Sequence, residues 1–211
     1  MTSVRTHLPD DWFPIGIPEN VALGSDVYLD SSYGFAACMS ERQPGITLGD
    51  FCGAYDRASF MVGPKGQVFV GAYTVLNGTY IICNESVRIG DNCLLSWGAV
   101  ITDSWLAPPT TLIQRRAAMR ASIDNPRRPL PAAALPRPVN LEDNCWVGFD
   151  AVVLPGVTLG RGCIVGSKTV ISEDVPSYAV VAGYPARIVR MLDADDTNEV
   201  RDKARKLSAN K

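Results

Sequence analysis

Aliphatic residues recur at every sixth position over long runs of this chain. Read from Ile89, the sequence divides into IGDNCL, LSWGAV and ITDSWL; read from Leu141, it divides into LEDNCW, VGFDAV, VLPGVT, LGRGCI, VGSKTV and ISEDVP. All nine hexads open on Val, Leu or Ile, and a fixed short period of this kind marks one structural unit stacked on copies of itself. Each hexad reads as a short strand followed by a turn. The leading aliphatic points into a core, and the glycine that follows it at Gly90, Gly148, Gly160 and Gly166 tolerates the backbone angles of the turn. The fifth position holds small or β-branched residues, among them Cys93, Ala99, Cys145, Ala151, Val157, Cys163, Thr169 and Val175, which fit where neighbouring coils crowd together.

The pattern predicts an all-β fold, a left-handed parallel β-helix of hexapeptide repeats. Upstream, VGAYTV from Val70, LNGTYI from Leu76 and the seven-residue ICNESVR from Ile82 extend it, with leading residues expected inside. VALGSD from Val21, VYLDSS from Val27 and LGDFCG from Leu48 read as irregular early coils. The expected organisation is an N-terminal arm over 1–20, the β-helix over 21–190 with an excursion at 107–138, and a short C-terminal helix over 191–211. Coils stacked this way leave flat sides with exposed apolar residues, which favours association between chains.

Cysteine placement follows the same repeat. Six cysteines in a chain of 211 residues could pair, but Cys93, Cys145 and Cys163 fall on the crowded fifth position, so reduced and buried thiols are expected. A net charge of −2 supplies no electrostatic attraction to nucleic acid or to an anionic membrane. The first twenty residues carry charges and prolines in place of an apolar run, and no stretch approaches the ~18 apolar residues of a membrane span, so a cytoplasmic location is expected. The glycines keep the six-residue period and spell neither a Walker loop nor a dinucleotide fingerprint.

Between Leu106 and Val139 the hexads stop. TTLIQRRAAMRASID predicts a helix capped near Thr110 or Thr111, and the prolines from Pro126 to Pro138 predict extended backbone. Arg115, Arg116, Arg120, Arg127, Arg128 and Arg137 lie here, in what is either a solvated loop or the wall of a site for an anionic group. After the last coil, acidic residues precede basic ones and Glu199 stands four residues before Lys203, the outline of a helix.

The stretch NCWVGFDAVVLPGVTLGRGCIVGSKTVISEDVPSYAVVAGYPARIVR resembles the hexapeptide-repeat acyltransferases of the galactoside, maltose and xenobiotic acetyltransferase group. The resemblance implies a homotrimer in which acetyl-CoA or another acyl-CoA lies between adjacent chains and donates its acyl group to a small-molecule acceptor, with no metal. Carried over residue by residue, it implies cofactor contacts at Trp146, Ser167, Ser172, Arg187 and Arg190. Serines suit the pantetheine amides, and arginine forks match phosphate geometry. Glu173 and Phe149 depart from the family pattern.

The larger departure is the base. The group's histidine should fall near Leu106, and the only histidine in this chain is His7. Three readings remain open. In the first, Asp103 serves as base with Ser104, while Asn84 or Glu85 orients the acceptor hydroxyl or amine. In the second, the chain binds a ligand or partner without turnover. In the third, the scaffold runs a different reaction. Asp103 as a simple turn residue is the plain alternative to its catalytic role. A hexapeptide-repeat carbonic anhydrase would need three histidines and is excluded.

Overall fold

In the computed structural model, which describes residues 6–106, 111–123 and 133–194, the hexads wind into a three-sided parallel β-solenoid of about seven turns. Strands visit the three faces in a fixed rotation. The first face carries, among others, Ile46–Leu48, Gln67–Val70, Ser86–Ile89 and Val139–Leu141. The second carries Gly53–Tyr55, Val75–Asn77, Leu94–Leu95, Trp146–Val147, Ile164–Val165 and Ala179–Ala182. The third carries Ser59–Val62, Tyr80–Cys83, Val100–Thr102, Val152–Val153 and Val170–Ile171.

Parallel, in-register pairing sets identical hexad positions on top of one another. Leu94 and Leu95 pair with Trp146 and Val147, which pair in turn with Ile164 and Val165. Inward rows such as Ile81, Ile101, Val153 and Ile171 are at most 1% exposed, so the prism is filled by aliphatic ladders. The fifth-position row runs through Cys52, Thr74, Cys93, Cys145 and Cys163, all buried. All six cysteines are buried and outside disulfides, and Cys145 and Cys163 approach to 3.7 Å between their sulfurs. Burial above all pushes the Cys52 thiol up to about 11.

At the corner between the first and second faces, each coil turns through one left-handed residue: Phe51, Tyr73, Asn92, Asn144 and Tyr178 have φ between 57° and 63°. Asp91 takes the amide of Ala72 in the coil before it, and Asp143 takes the amide of Asp91, at 2.8 and 2.9 Å. Gly71 and Gly90 lie one coil below the carboxylates of Asp91 and Asp143, where a Cβ would collide with that neighbouring coil; one on Gly90 would lie 2.7 Å from the Asp143 backbone nitrogen.

Two details depart from the sequence reading. Ile82 does not lead a hexad inward: Ile81 and Cys83 are buried and Ile82 is on the outer side, because the turn at Asn77 and Gly78 is one residue short. The strand Arg187–Met191 reverses direction and pairs antiparallel with Ala179–Ala182, closing the second face. The helix in the excursion, α1, spans Leu112–Ile123 and begins with reciprocal bonds between Thr111 and Gln114, a capping box. The helix read over 191–211 falls almost entirely outside the described residues, as do Arg127 and Arg128 of the excursion. Among the described residues no helix is long and apolar enough to cross a membrane.

Candidate functional site

The excursion leaves the solenoid at the corner between the third and first faces, just after Asp103 and Ser104, and returns at Arg137. Its root is a two-stranded antiparallel ribbon, Trp105–Leu106 against Ala133–Ala134. Four of the sequence candidates meet at this root. Asp103 continues the inward row of Val62 and Cys83 and is wholly buried. Its carboxylate accepts the amides of Asn84 at 2.9 Å, Glu85 at 2.7 Å and Ser86 at 2.9 Å. Ser104 Oγ donates to Asp103 Oδ1 at 2.5 Å, and Asn84 Nδ2 donates to Ser104 Oγ at 3.2 Å.

This geometry bears on Asp103 as a candidate base. A general base needs a lone pair within reach of the acceptor's proton, and this carboxylate faces three backbone amides and a hydroxyl with no exposed surface. The departing excursion takes away the coil that would otherwise cover the 84–86 turn, and Asp103 supplies the missing acceptors. Together with burial, its charge holds the Cys83 thiol well above the usual range. Ser104 is 3% exposed and also faces inward. Of the four, Glu85 is the one with an exposed side chain, while Asn84 is half-buried. The turn-residue alternative named for Asp103 describes its contacts.

The five cofactor candidates fall at three places. Trp146, 46% exposed, lies on the second face, and its indole N–H reaches Ser96 Oγ at 3.4 Å. Register places it in one row with Ile164, Val180 and Arg190, so Trp146 and Arg190 share an outer surface. Ser167 sits at the corner between the second and third faces, next to Lys168, whose amide bonds the Phe149 carbonyl at 2.7 Å. Ser172 and Arg187 instead line an open groove of about 340 Å3 at the C-terminal end of the prism, together with Glu173 and Asp174. Arg187 there donates to the Ala186 carbonyl at 2.8 Å.

His7 is far from the excursion in the strand order, on the first strand of the second face, where it is exposed and 3.4 Å from Asp26. Among the described residues no group of His, Cys, Asp or Glu could hold a metal ion.

The sequence reading missed Trp97. It occupies the third position of its hexad, as Phe149 and Ser167 do in theirs, and the coils set the three in one column. Trp97 stacks on Phe149 with centroids 5.6 Å apart and planes at 11°. Its indole N–H donates to Asp56 Oδ2 at 2.6 Å, across the intervening coil at Gly78. The equal hexad offset was the available signal.

Comparison with known proteins agrees with this architecture. A model of the bacterial transferase hexapeptide, six repeats, matches residues 138–173, and one of the hexapeptide repeat of succinyl-transferase matches residues 68–103. The chain is 39% identical over 56 residues to a chain named as an acetyltransferase in Schizosaccharomyces pombe; the match covers 26% of this chain and 27% of that one. It is 24% identical over 186 residues to the galactoside O-acetyltransferase of Escherichia coli, covering 86% of this chain and 83% of the other. A hexapeptide-repeat acetyltransferase from Vibrio cholerae, solved with acetyl coenzyme A, superposes with a TM-score of 0.54 at 22% identity, over 77% of each chain. A mutant of AntD, an N-acyltransferase from Bacillus cereus solved with dTDP and coenzyme A, superposes with a TM-score of 0.58 at 15% identity, over 93% of this chain and 94% of that one. The chain is a hexapeptide-repeat β-solenoid, similar to acetyltransferases in sequence and fold, whose two matched runs of repeats flank the excursion.

Proposed function

We propose that this protein transfers an acetyl or other short acyl group from coenzyme A to a hydroxyl or amine of a small molecule. The likeness to the Escherichia coli galactoside O-acetyltransferase, which runs through 86% of this chain, is the observation that carries the reading. The superposable structures from Vibrio cholerae and Bacillus cereus hold acetyl coenzyme A and coenzyme A. The thioester supplies the activated acyl group, so the protein has to position it, deliver the acceptor and remove one proton.

In this reading the cofactor runs along the second face. Trp146 packs against the pantetheine arm, Ser167 bonds its amides, and Arg190 meets the phosphates. Ser172 and Arg187 extend the polar contacts at the C-terminal groove. Chains associate as a cytoplasmic homotrimer through the apolar outer side of the third face, where Tyr80, Val100, Val152 and Val170 form one row. Glu85 is the base, because its carboxylate is exposed beside the turn that Asp103 holds in place. Asp103 and Ser104 are positioning residues at the root of the excursion, and Asn84 orients the acceptor.

A thiol-release assay with acetyl-CoA and a panel of sugars and amines tests this. Acceptor-dependent release is expected, with Glu85→Gln lowering kcat by about 10²-fold or more and leaving coenzyme A affinity unchanged. Coenzyme A binding without release for any acceptor would favour a ligand-binding homologue, and full activity of Glu85→Gln would remove Glu85 from the mechanism.

A further inference from the structure

The outer row of the first face runs through Thr47, Phe69, Arg88, Asn140 and Thr158, set side by side by the strand register. Between this row and the corner that leads to the second face lies an open hollow of about 310 Å3, walled by Phe69, Arg88, Asn140, Glu142, Asp143 and Arg161. Arg161 stands in the corner position where the two coils before it carry Asp91 and Asp143. Those carboxylates each accept an amide of the coil below, at 2.8 and 2.9 Å. A guanidinium cannot accept, and here the bond runs the other way: the Arg161 amide donates to Glu142 Oε2 at 2.8 Å.

Two cations in this hollow lack a partner of opposite charge. The Arg88 guanidinium carbon lies 4.6 Å from the Phe69 ring centroid, an arrangement that occupies one face of the group and leaves its N–H edge to fork an oxygen acid. Neither Arg88 nor Arg161 forms an ion pair with a described residue, although three carboxylates line the same hollow. Arg161 Nε is buried without an acceptor, and a buried donor of this kind calls for an oxygen from outside the fold. The carboxylates differ in what they offer. Asp91 and Asp143 hold the corner, whereas the exposed Glu142 has only Oε2 of its carboxylate in a hydrogen bond among the described residues.

We propose that this hollow binds a small zwitterion of the α-amino-acid type. Arg88 and Arg161 take the carboxylate, Asn140, beside Arg88 in the register, adds an amide donor, and Glu142 takes the ammonium group. A lone anion meets three carboxylates here and a lone cation meets two guanidiniums, so the hollow favours a ligand that carries both signs. The first face is apart from the second-face row and the corner given to the acyl donor. This is therefore a separate binding site, and it does not rest on the acyl-transfer reading.

The test is calorimetry on the full chain without coenzyme A, so that its failure is separate from failure of acyl transfer. The probes are glycine, alanine, leucine, glutamate and lysine, with propionate, ethylamine and sulfate as ligands of a single sign. At least one amino acid is expected to bind with Kd below about 1 mM, and about tenfold or more tightly than propionate or ethylamine. Arg88→Gln and Arg161→Gln, each checked for an unchanged melting temperature, are expected to weaken binding by about tenfold or more, and Arg88→Lys to weaken it because the fork is lost. Glu142→Gln is expected to narrow the gap between the amino acid and propionate, a change that a purely structural role would not produce. Arg57→Gln, at the corner between the second and third faces, leaves binding unchanged. No binding by any amino acid at about 10 mM would overturn the proposal. So would binding that survives both arginine substitutions, or equal binding of propionate or sulfate, which would mark a plain anion site.

Discussion

Asp103 shows how a buried charge can be structural at a site where chemistry is expected. It sits in an aliphatic row, yet its oxygens meet the amides of Asn84, Glu85 and Ser86, which the departing excursion leaves without a covering coil. Asp103→Asn puts an amide NH2 against those donors and is expected to cost about 2–4 kcal/mol in urea unfolding. A loss below about 0.5 kcal/mol would mean that the three bonds contribute nothing net. The cysteine row gives a pH dependence. The Cys52 thiol moves from 9.0 up to about 11 on folding, so the folded state keeps its proton while the unfolded chain loses it. Stability from this group is complete below pH 9 and is lost as pH rises towards 11, up to about 2–3 kcal/mol. Thermal melts at pH 8 and pH 10.5 should show the loss, and Cys52→Ala should reduce it; an unchanged slope in the variant would exclude Cys52 as the source.

At the scale of the coil, the six-residue period carried most of the fold because the physical unit and the sequence unit coincide. Leading residues such as Leu95, Ile101, Leu141 and Val165 went inward as the hexads required. The frame slipped at Ile82, where a five-residue step to Ile81 and an eight-residue step to Ile89 replace the expected steps of six and seven; a run of adjacent aliphatics at Ile81 and Ile82 does not reveal which one faces the core. Glycine positions also have a cause visible only in three dimensions. Gly90 has ordinary φ, but a Cβ there meets the next coil at Asp143, so Gly90→Ala is expected to lower stability by about 1–3 kcal/mol in chemical denaturation. No change would show that the coils can separate locally without loss.

For the molecule as a whole, the solenoid was legible in the sequence and the arrangement of the candidate site only in part. Motif positions named Trp146, Ser167, Ser172, Arg187 and Arg190, and register then separated them into a face, a corner and a terminal groove, a division that hexad spacing alone does not contain. The Trp97 indole bond to Asp56 crosses 41 positions of sequence, a contact that hexad spacing alone does not contain either. The proposed association between chains and the proposed path of the acyl donor belong to this same scale. The most direct test of acyl-CoA use is calorimetric titration of the purified protein with acetyl-CoA, comparing the native chain with Trp146→Ala and Arg190→Ala. Saturable binding of one acetyl-CoA per chain, weakened by about tenfold or more in both variants, is the predicted result. Absence of binding at millimolar acetyl-CoA would contradict the acyltransferase account and leave a β-solenoid that works on other ligands.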